Sequence, residues 1–301
     1  MSRTVVVGLD GSPESRAAAE WAAREAKLRA LPLALVHVWE PVPVPMAQAP
    51  LIGPETQAHW AARVPREVAE GLRLRHLGVD ITAEQRTGHP ADVLTDATED
   101  AELLVLGSRG LSGIGGFLVG SVGLATLARA ERPVVLVRAG EQAADEHELD
   151  PSGIPSAAGP YRPVVLGIDR SGPDDAVTAF AFEAARRRRT ALHVVYGWTL
   201  PPYYAYALPS DPELIREIAG HEAAALTEVV RPWREKYPSV EVVEDSRFGR
   251  PADLLTEASR AASLVVVGRR VRRSPFGAHI GPVTHSVLHH ATAPVAVVSH
   301  D

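Results

Sequence analysis

Apolar residues along this chain fall into short unbroken runs, separated by longer stretches in which they recur every three or four positions. "RTVVVGLD" (3–10), "LPLALVHVW" (31–39), "AELLVLG" (101–107) and "RPVVLVR" (132–138) are runs of the first kind. Bounded by turn residues, they suit strands covered on both faces. "VDITAEQ" (79–85) is a weaker strand. The stretches between are predicted helices. "SPESRAAAEWAAREAKLRA" opens with Ser12 at an N-cap and Pro13 at the first helical position. A second helix is expected from about Glu55 to His76, kinked or interrupted by Pro65. A third follows Gly88, and a fourth ends near Arg132. Alternation of this kind implies an α/β fold, a doubly wound parallel sheet with helices on both faces. Ligands of such sheets sit beyond the carboxyl ends of the strands, where Asp10, Val38 and Gly107 fall.

The pattern is written twice. "VVVGLDGSPES" at 5–15 returns as "VVLGIDRSGPDD" at 164–175, and "GHPADVLTDATEDAELLVLGSRG" at 88–110 returns as "GRPADLLTEASRAASLVVVGRRV" at 249–271. The offset is 159 residues early in the repeat and 161 from Gly88 onward. Two tandem domains are expected, 1–139 and 161–301, joined by a linker at 140–160 that is rich in Pro, Gly, Ala and acid.

Composition narrows the function classes. A net charge of −6 offers no general attraction to nucleic acid or an anionic membrane. The absence of cysteine removes disulfides and thiolate metal sites. No apolar stretch approaches the length of a membrane span. "MSRTVVVGLDGS" lacks the features of a secretion signal, so the cytoplasm is the expected location.

Candidate chemistry concentrates at "GSRGLSGIGGFLVGSVG" (107–123), seven glycines in seventeen residues, too many for a helix or a strand. A P-loop requires a lysine that this segment lacks. The dinucleotide fingerprint fails as well, because Leu118 stands where its third glycine belongs. What remains is Gly107-x2-Gly110-x9-Gly120-Ser121, after a strand and opening a helix. Gly107 and Gly110 allow close approach of a ligand to the backbone. Gly120 and Ser121 mark a helix N-terminus, whose N–H groups and dipole favour an anion. The competing reading is a glycine-shaped surface loop with Ser121 as a plain cap. For Asp10 it is an Asx turn opening a helix.

With these motifs, both repeats resemble the universal stress proteins in their tandem, two-domain form. Nucleotide-binding members carry G-x2-G-x9-G-[ST], matched in full by residues 107–121, and an aspartate ending the first strand, here Asp10. The resemblance implies a strand order of 3-2-1-4-5 and ATP across the strand ends, accompanied by Mg²⁺. It places Asp10 and the Val38 backbone at adenine and ribose, Gly107, Arg109 and Gly110 at ribose and phosphates, and Gly120, Ser121 and Val122 at the phosphates. It also implies packing of the two domains as an internal pseudo-dimer through "PVVLVR" and "PVAVVS", in which Leu136 and Val297 are equivalent, and allows a homodimer of chains.

The second copy reads Gly268-x2-Val271-x9-Gly281-Pro282. Val271 adds bulk, and Pro282 removes a hydroxyl and an N–H. Two lost donors at about 1–2 kcal/mol each weaken binding roughly 30- to 1000-fold. Asp169, Gly268, Arg270, Gly281 and Thr284 make up the candidate second site, with Thr284 as a partial substitute for the lost serine. Arg269, Arg270, Arg272 and Arg273 either grip phosphates or stand solvated in a loop. "RRRR" at 186–189 reads as a solvated helix end, with a binding patch as the alternative. His285 and His289 have the spacing of a helical metal pair, but no third ligand is evident in the sequence and no metal site is assigned. Trp39 and Trp198 serve as pocket walls or as core, and the Pro-rich segments after them as lids or as surface loops.

Three function classes follow. The leading one is a regulatory protein holding ATP as a signal or switch for a protein partner. The others are a slow ATPase or phosphotransferase and a nucleotide-free interaction module. No Lys, His or Glu lies between Gly107 and Ala130 to serve as a catalytic base, and no catalytic residue is assigned.

Overall fold

The computed structural model describes residues 3–40, 62–110, 117–118, 120–169, 174–200, 212–271 and 280–300. The chain divides into two compact units between Ala143 and Ala144. In the first, β1 (Thr4–Leu9), β2 (Leu33–Trp39), β3 (Ile81–Thr87), β4 (Ala101–Gly110) and β6 (Val134–Arg138) form a parallel sheet in the order β3-β2-β1-β4-β6. A short β5 (Phe117–Leu118) pairs antiparallel with the end of β4. Helices α1 (Pro13–Arg29), α2 (Arg63–Arg75), α3 (Pro90–Asp96) and α4 (Ser121–Arg129) complete the described elements. The second unit repeats the plan with β7 (Val164–Gly167), β8 (Leu192–Trp198), β9 (Val242–Phe248), β10 (Leu264–Arg270) and β11 (Val295–His300), in the order β9-β8-β7-β10-β11. Its helices are α5 (Asp175–Arg188), α6 (Pro212–Lys236), α7 (Pro251–Ala258) and α8 (Pro282–His290). Both orders are the expected 3-2-1-4-5 once β5 is set aside.

Central strands bury whole runs, as the unbroken apolar pattern requires: Leu103, Leu104, Val105 and Leu106 are all in the core. The edge strand β3 alternates instead, so "ITAEQRT" carries polar residues between its inward positions. Trp21 and Leu72 fill the first core. In the second, Phe182 stacks with Trp233 and Tyr237 at 5.8 and 5.3 Å.

Three local expectations change. Pro65 lies in the first turn of α2, where a missing N–H leaves no helical bond unmade, so it neither kinks nor divides that helix. Residues 55–61 of the expected helix lie outside the described residues. The fourth helix stops at Arg129, because Ala130 turns extended at φ −60° and ψ 130°. The glycine-rich segment begins as strand: β4 continues through Arg109 and Gly110, which pair with Leu118 and Phe117. Residues 111–116 and 119 lie outside the described residues.

Both α1 and α5 end on a left-handed residue that is not glycine, Ala30 and Arg189, each at φ 52°. A Cβ is disfavoured in that conformation, and glycine is the usual occupant. Ala30→Gly and Arg189→Gly are each expected to raise stability by about 0.5–1 kcal/mol, the strain relief less the added chain entropy. Urea unfolding of the single variants measures this.

The linker and the arginine run turn out to belong together. Ala143–Glu146 forms a 3₁₀ turn, His147 bridges Tyr161, and the Arg162 amide donates to the Glu146 carbonyl at 2.9 Å. This places the Glu146 carboxylate 4.0 Å from Arg188, with side-chain exposures of 2% and 1%. Arg186 and Arg187 do remain near the surface, sharing Glu183 at 2.6 and 2.8 Å. The Arg186 hydrogen bond leads in holding that carboxyl down to about 2. The run is therefore not uniformly solvated, since Arg188 is core. The repeat aligns Arg188 with Arg29, which is buried against Glu25 at 2.7 Å and reaches Glu102 at 3.4 Å. Ala184 and Ser263 stand at the two glutamate positions in the second copy, and the linker supplies a carboxylate instead.

Candidate functional site

At the carboxyl ends of β1, β2 and β4 lies a cleft of about 270 Å³, near the lower end of the range for small-molecule sites. It gathers Asp10, Val38 and Gly107 with Gly120, Ser121 and Val122 at the start of α4. Gly120 is extended at φ −60° and ψ 158°, and no side chain caps the helix that follows. The first turn of α4 thus presents its amides at the cleft, and among the described residues no side-chain carboxylate or hydroxyl is bonded across them. Leu9, Leu94 and Leu106 give the cleft an apolar floor.

Asp10 is exposed and makes the Asx turn that its type suggests. Its Oδ1 accepts from the Ser12 amide at 3.0 Å and the Ser12 hydroxyl at 2.5 Å. Ser12 in turn caps α1, accepting from the Ser15 amide at 3.1 Å. The turn holds the carboxylate at the rim, so the structural and the binding readings of Asp10 are compatible. Behind it, burial holds His37 below the usual histidine value, opposed by the negative charge of Asp10.

Gly107 has a reason that the sequence did not reveal. A Cβ there would lie 2.6 Å from the Glu14 carbonyl carbon and 2.8 Å from the Ser15 amide nitrogen. The first turn of α1 packs so closely on β4 that glycine is required before any ligand is considered. The same packing brings Glu14 to the cleft wall, a lining residue that the sequence reading missed. Its signal was available: a helix capped at Ser12 immediately after a strand places its second residue beside that strand's neighbours. Arg109 and Gly110 lie beyond Gly107 on β4, at its pairing with β5.

The second unit arranges the equivalent residues differently. Asp169 is exposed after β7, and Arg270 is the exposed last residue of β10. Gly281 is the N-cap of α8 with Pro282 at its first position. Thr284 is buried, and its hydroxyl donates to the Gly268 carbonyl at 2.8 Å, which ties helix to strand and withdraws that proton from any ligand. Arg269 is buried as well, and desolvation lowers its pKa. Arg272 and Arg273 lie outside the described residues. A Cβ at Gly268 would meet the His300 Nε2 at 2.9 Å, a side chain where Gly107 meets helix backbone. At the position of Val38 stands Gly197, against which Pro251 packs so closely that a Cβ would come within 2.8 Å of its Cα. In the first unit the corresponding residues, Val38 and Pro90, both line the cleft.

Two further candidates resolve locally. Trp198 is buried and packs edge-on against Phe248 at 5.2 Å, a core role. The His285 and His289 rings stand 4.4 Å apart, and partial desolvation, then the charge of His289, keep the largely exposed His285 below the usual value.

Comparison with known proteins agrees with the repeat. The universal stress protein family profile matches residues 1–138 and 160–299. A universal stress protein of Mycolicibacterium smegmatis is 35% identical over 304 residues, covering 98% of this chain and 96% of that protein. One from Mycobacterium tuberculosis is 34% identical over 315 residues, covering 97% and 96%. A solved universal stress protein from Archaeoglobus fulgidus covers 100% of both chains with a TM-score of 0.70 at 18% identity, a likeness of fold. Among the described residues no helix is long and apolar enough to cross a membrane.

Proposed function

The chain belongs to the universal stress protein family, and we propose that it is a stress-response protein whose first domain holds ATP as a signal while its second domain does not. One observation carries this reading: the first cleft joins a strand-end carboxylate, Asp10, to the uncapped start of α4 in one concavity. Asp10 accepts from ribose hydroxyl or adenine amine donors. The Val38 backbone reads the adenine edge, and the amides of Ser121 and Val122 with the Ser121 hydroxyl hold the phosphates. Each charge-assisted hydrogen bond of this type contributes about 1.5–3 kcal/mol, so a few suffice without a lysine.

A Mg²⁺ ion is part of this reading. Asp10 and Glu14 are the acidic residues among the cleft lining, and their carboxylates are the groups that would hold the cation, which would offset the repulsion between acid and phosphates. Slow hydrolysis is the second reading, in which the Glu14 carboxylate would orient a water. Turnover that falls in Glu14→Gln with nucleotide still bound would select that reading.

The decisive experiment is nucleotide content. Freshly purified protein is acid-precipitated and the adenine nucleotides in the supernatant are identified and counted. About one per chain is expected, lost in Gly120→Val and kept in Gly281→Val, a position where an added Cβ meets nothing within 4 Å. Two per chain would overturn the asymmetry between domains. None, with no uptake on titration, would leave an interaction module.

A further inference from the structure

Helix α8 carries His285 and His289 four residues apart, and therefore on one face. Their rings stand 4.4 Å apart between centroids, tilted by 46°. Two imidazoles separated by one helical turn are the arrangement through which a helix presents two nitrogen ligands to a single Zn²⁺ ion. Imidazole nitrogen suits copper, nickel and zinc, and among these the general affinity order places Cu²⁺ first. His285 stands exposed in the opening turn of the helix. The side chains are already together, so little conformational freedom remains to be lost when an ion bridges them. The pair is a property of the second copy alone: the repeat places Leu124 and Ala128 at the equivalent positions.

We propose that His285 and His289 chelate one divalent transition-metal ion, Cu²⁺ in preference to Zn²⁺, with solvent completing the coordination. Among the described residues no group of three or more His, Cys, Asp or Glu converges. The site is therefore an open two-nitrogen chelate rather than a closed structural centre. It stands apart from the nucleotide reading and survives its failure.

The test uses the full-length chain without an affinity tag, stripped of metal and titrated with CuCl₂ in the presence of glycine as a weak competitor. Calorimetry is expected to show one Cu²⁺ per chain, and electron paramagnetic resonance a signal with two nitrogen ligands. His285→Ala and His289→Ala should each weaken binding roughly tenfold or more and reduce the nitrogen count. His290→Ala, the adjacent exposed histidine, should leave both unchanged. Circular dichroism confirms that each variant is folded. Unchanged affinity and spectrum in the His285→Ala/His289→Ala double variant would overturn the proposal. So would loss of the signal in His290→Ala alone.

Discussion

Replacing Glu146 by alanine is expected to destabilise the second domain by about 3–5 kcal/mol, the range for removing one partner of a buried ion pair. Arg188 is 1% exposed at its side chain and cannot turn to water without leaving the core, so its charge would lose the nearby carboxylate while staying desolvated. The Tyr161 ring lies 5.7 Å from the guanidinium carbon and stays in place in this variant. The pair as a whole need not be strongly stabilising, because both charges are desolvated. Glu146→Leu combined with Arg188→Met should therefore lose far less than either substitution alone, and that non-additivity separates a charge effect from simple loss of packing. Urea unfolding of the full chain, followed at the second-domain transition, reads all three variants. A loss below about 1 kcal/mol in Glu146→Ala would mean that the carboxylate is incidental. The same reasoning predicts that a second domain produced from Ala144 folds more stably than one produced from Tyr161.

Gly107→Ala is the second large effect. Its Cβ would enter backbone of α1 at 2.6 Å, and neither the Glu14 carbonyl nor the Ser15 amide can rotate away. The helix start must shift, at a cost of about 1–3 kcal/mol or more as in overpacked cores. Because Ser12 both caps that helix and holds Asp10, the shift also disturbs the cleft rim. Gly268→Ala provides the contrast. Its Cβ meets the ring end of His300 and a methyl of Val177, so a side chain can yield and the cost should stay near 1 kcal/mol or below. Parallel thermal and urea unfolding of the two variants tests the difference. Equal losses would show that the closeness of α1 to β4 is not what fixes glycine at residue 107.

Much of the fold could be read from the sequence because its signals are local. The buried strands announce themselves as runs, Ser12 and Pro13 mark a helix start, and the repeat confirms each element twice. The cleft residues were legible for the same reason: strand ends and helix starts are local features, and topology brings them together. The missed details depend on partners distant in sequence. Nothing near "RRRR" distinguishes Arg188 from its neighbours, because the carboxylate that meets it comes from the linker. The Thr284 hydroxyl is taken up by the Gly268 carbonyl, 16 residues away in the chain. Neither reading of Gly107, ligand clearance or loop shaping, includes the backbone of Glu14 that packs behind it from a distant segment.

Gly197 bears on how the second unit could be rebuilt by substitution. Val271→Gly and Pro282→Ser would give it the letters of the loop motif. They would leave Pro251 seated against Gly197, and a valine placed at that position would strike the helix start. Copying the first unit's arrangement therefore takes more than its loop letters: a side chain at residue 197 also requires α7 and β8 to stand further apart.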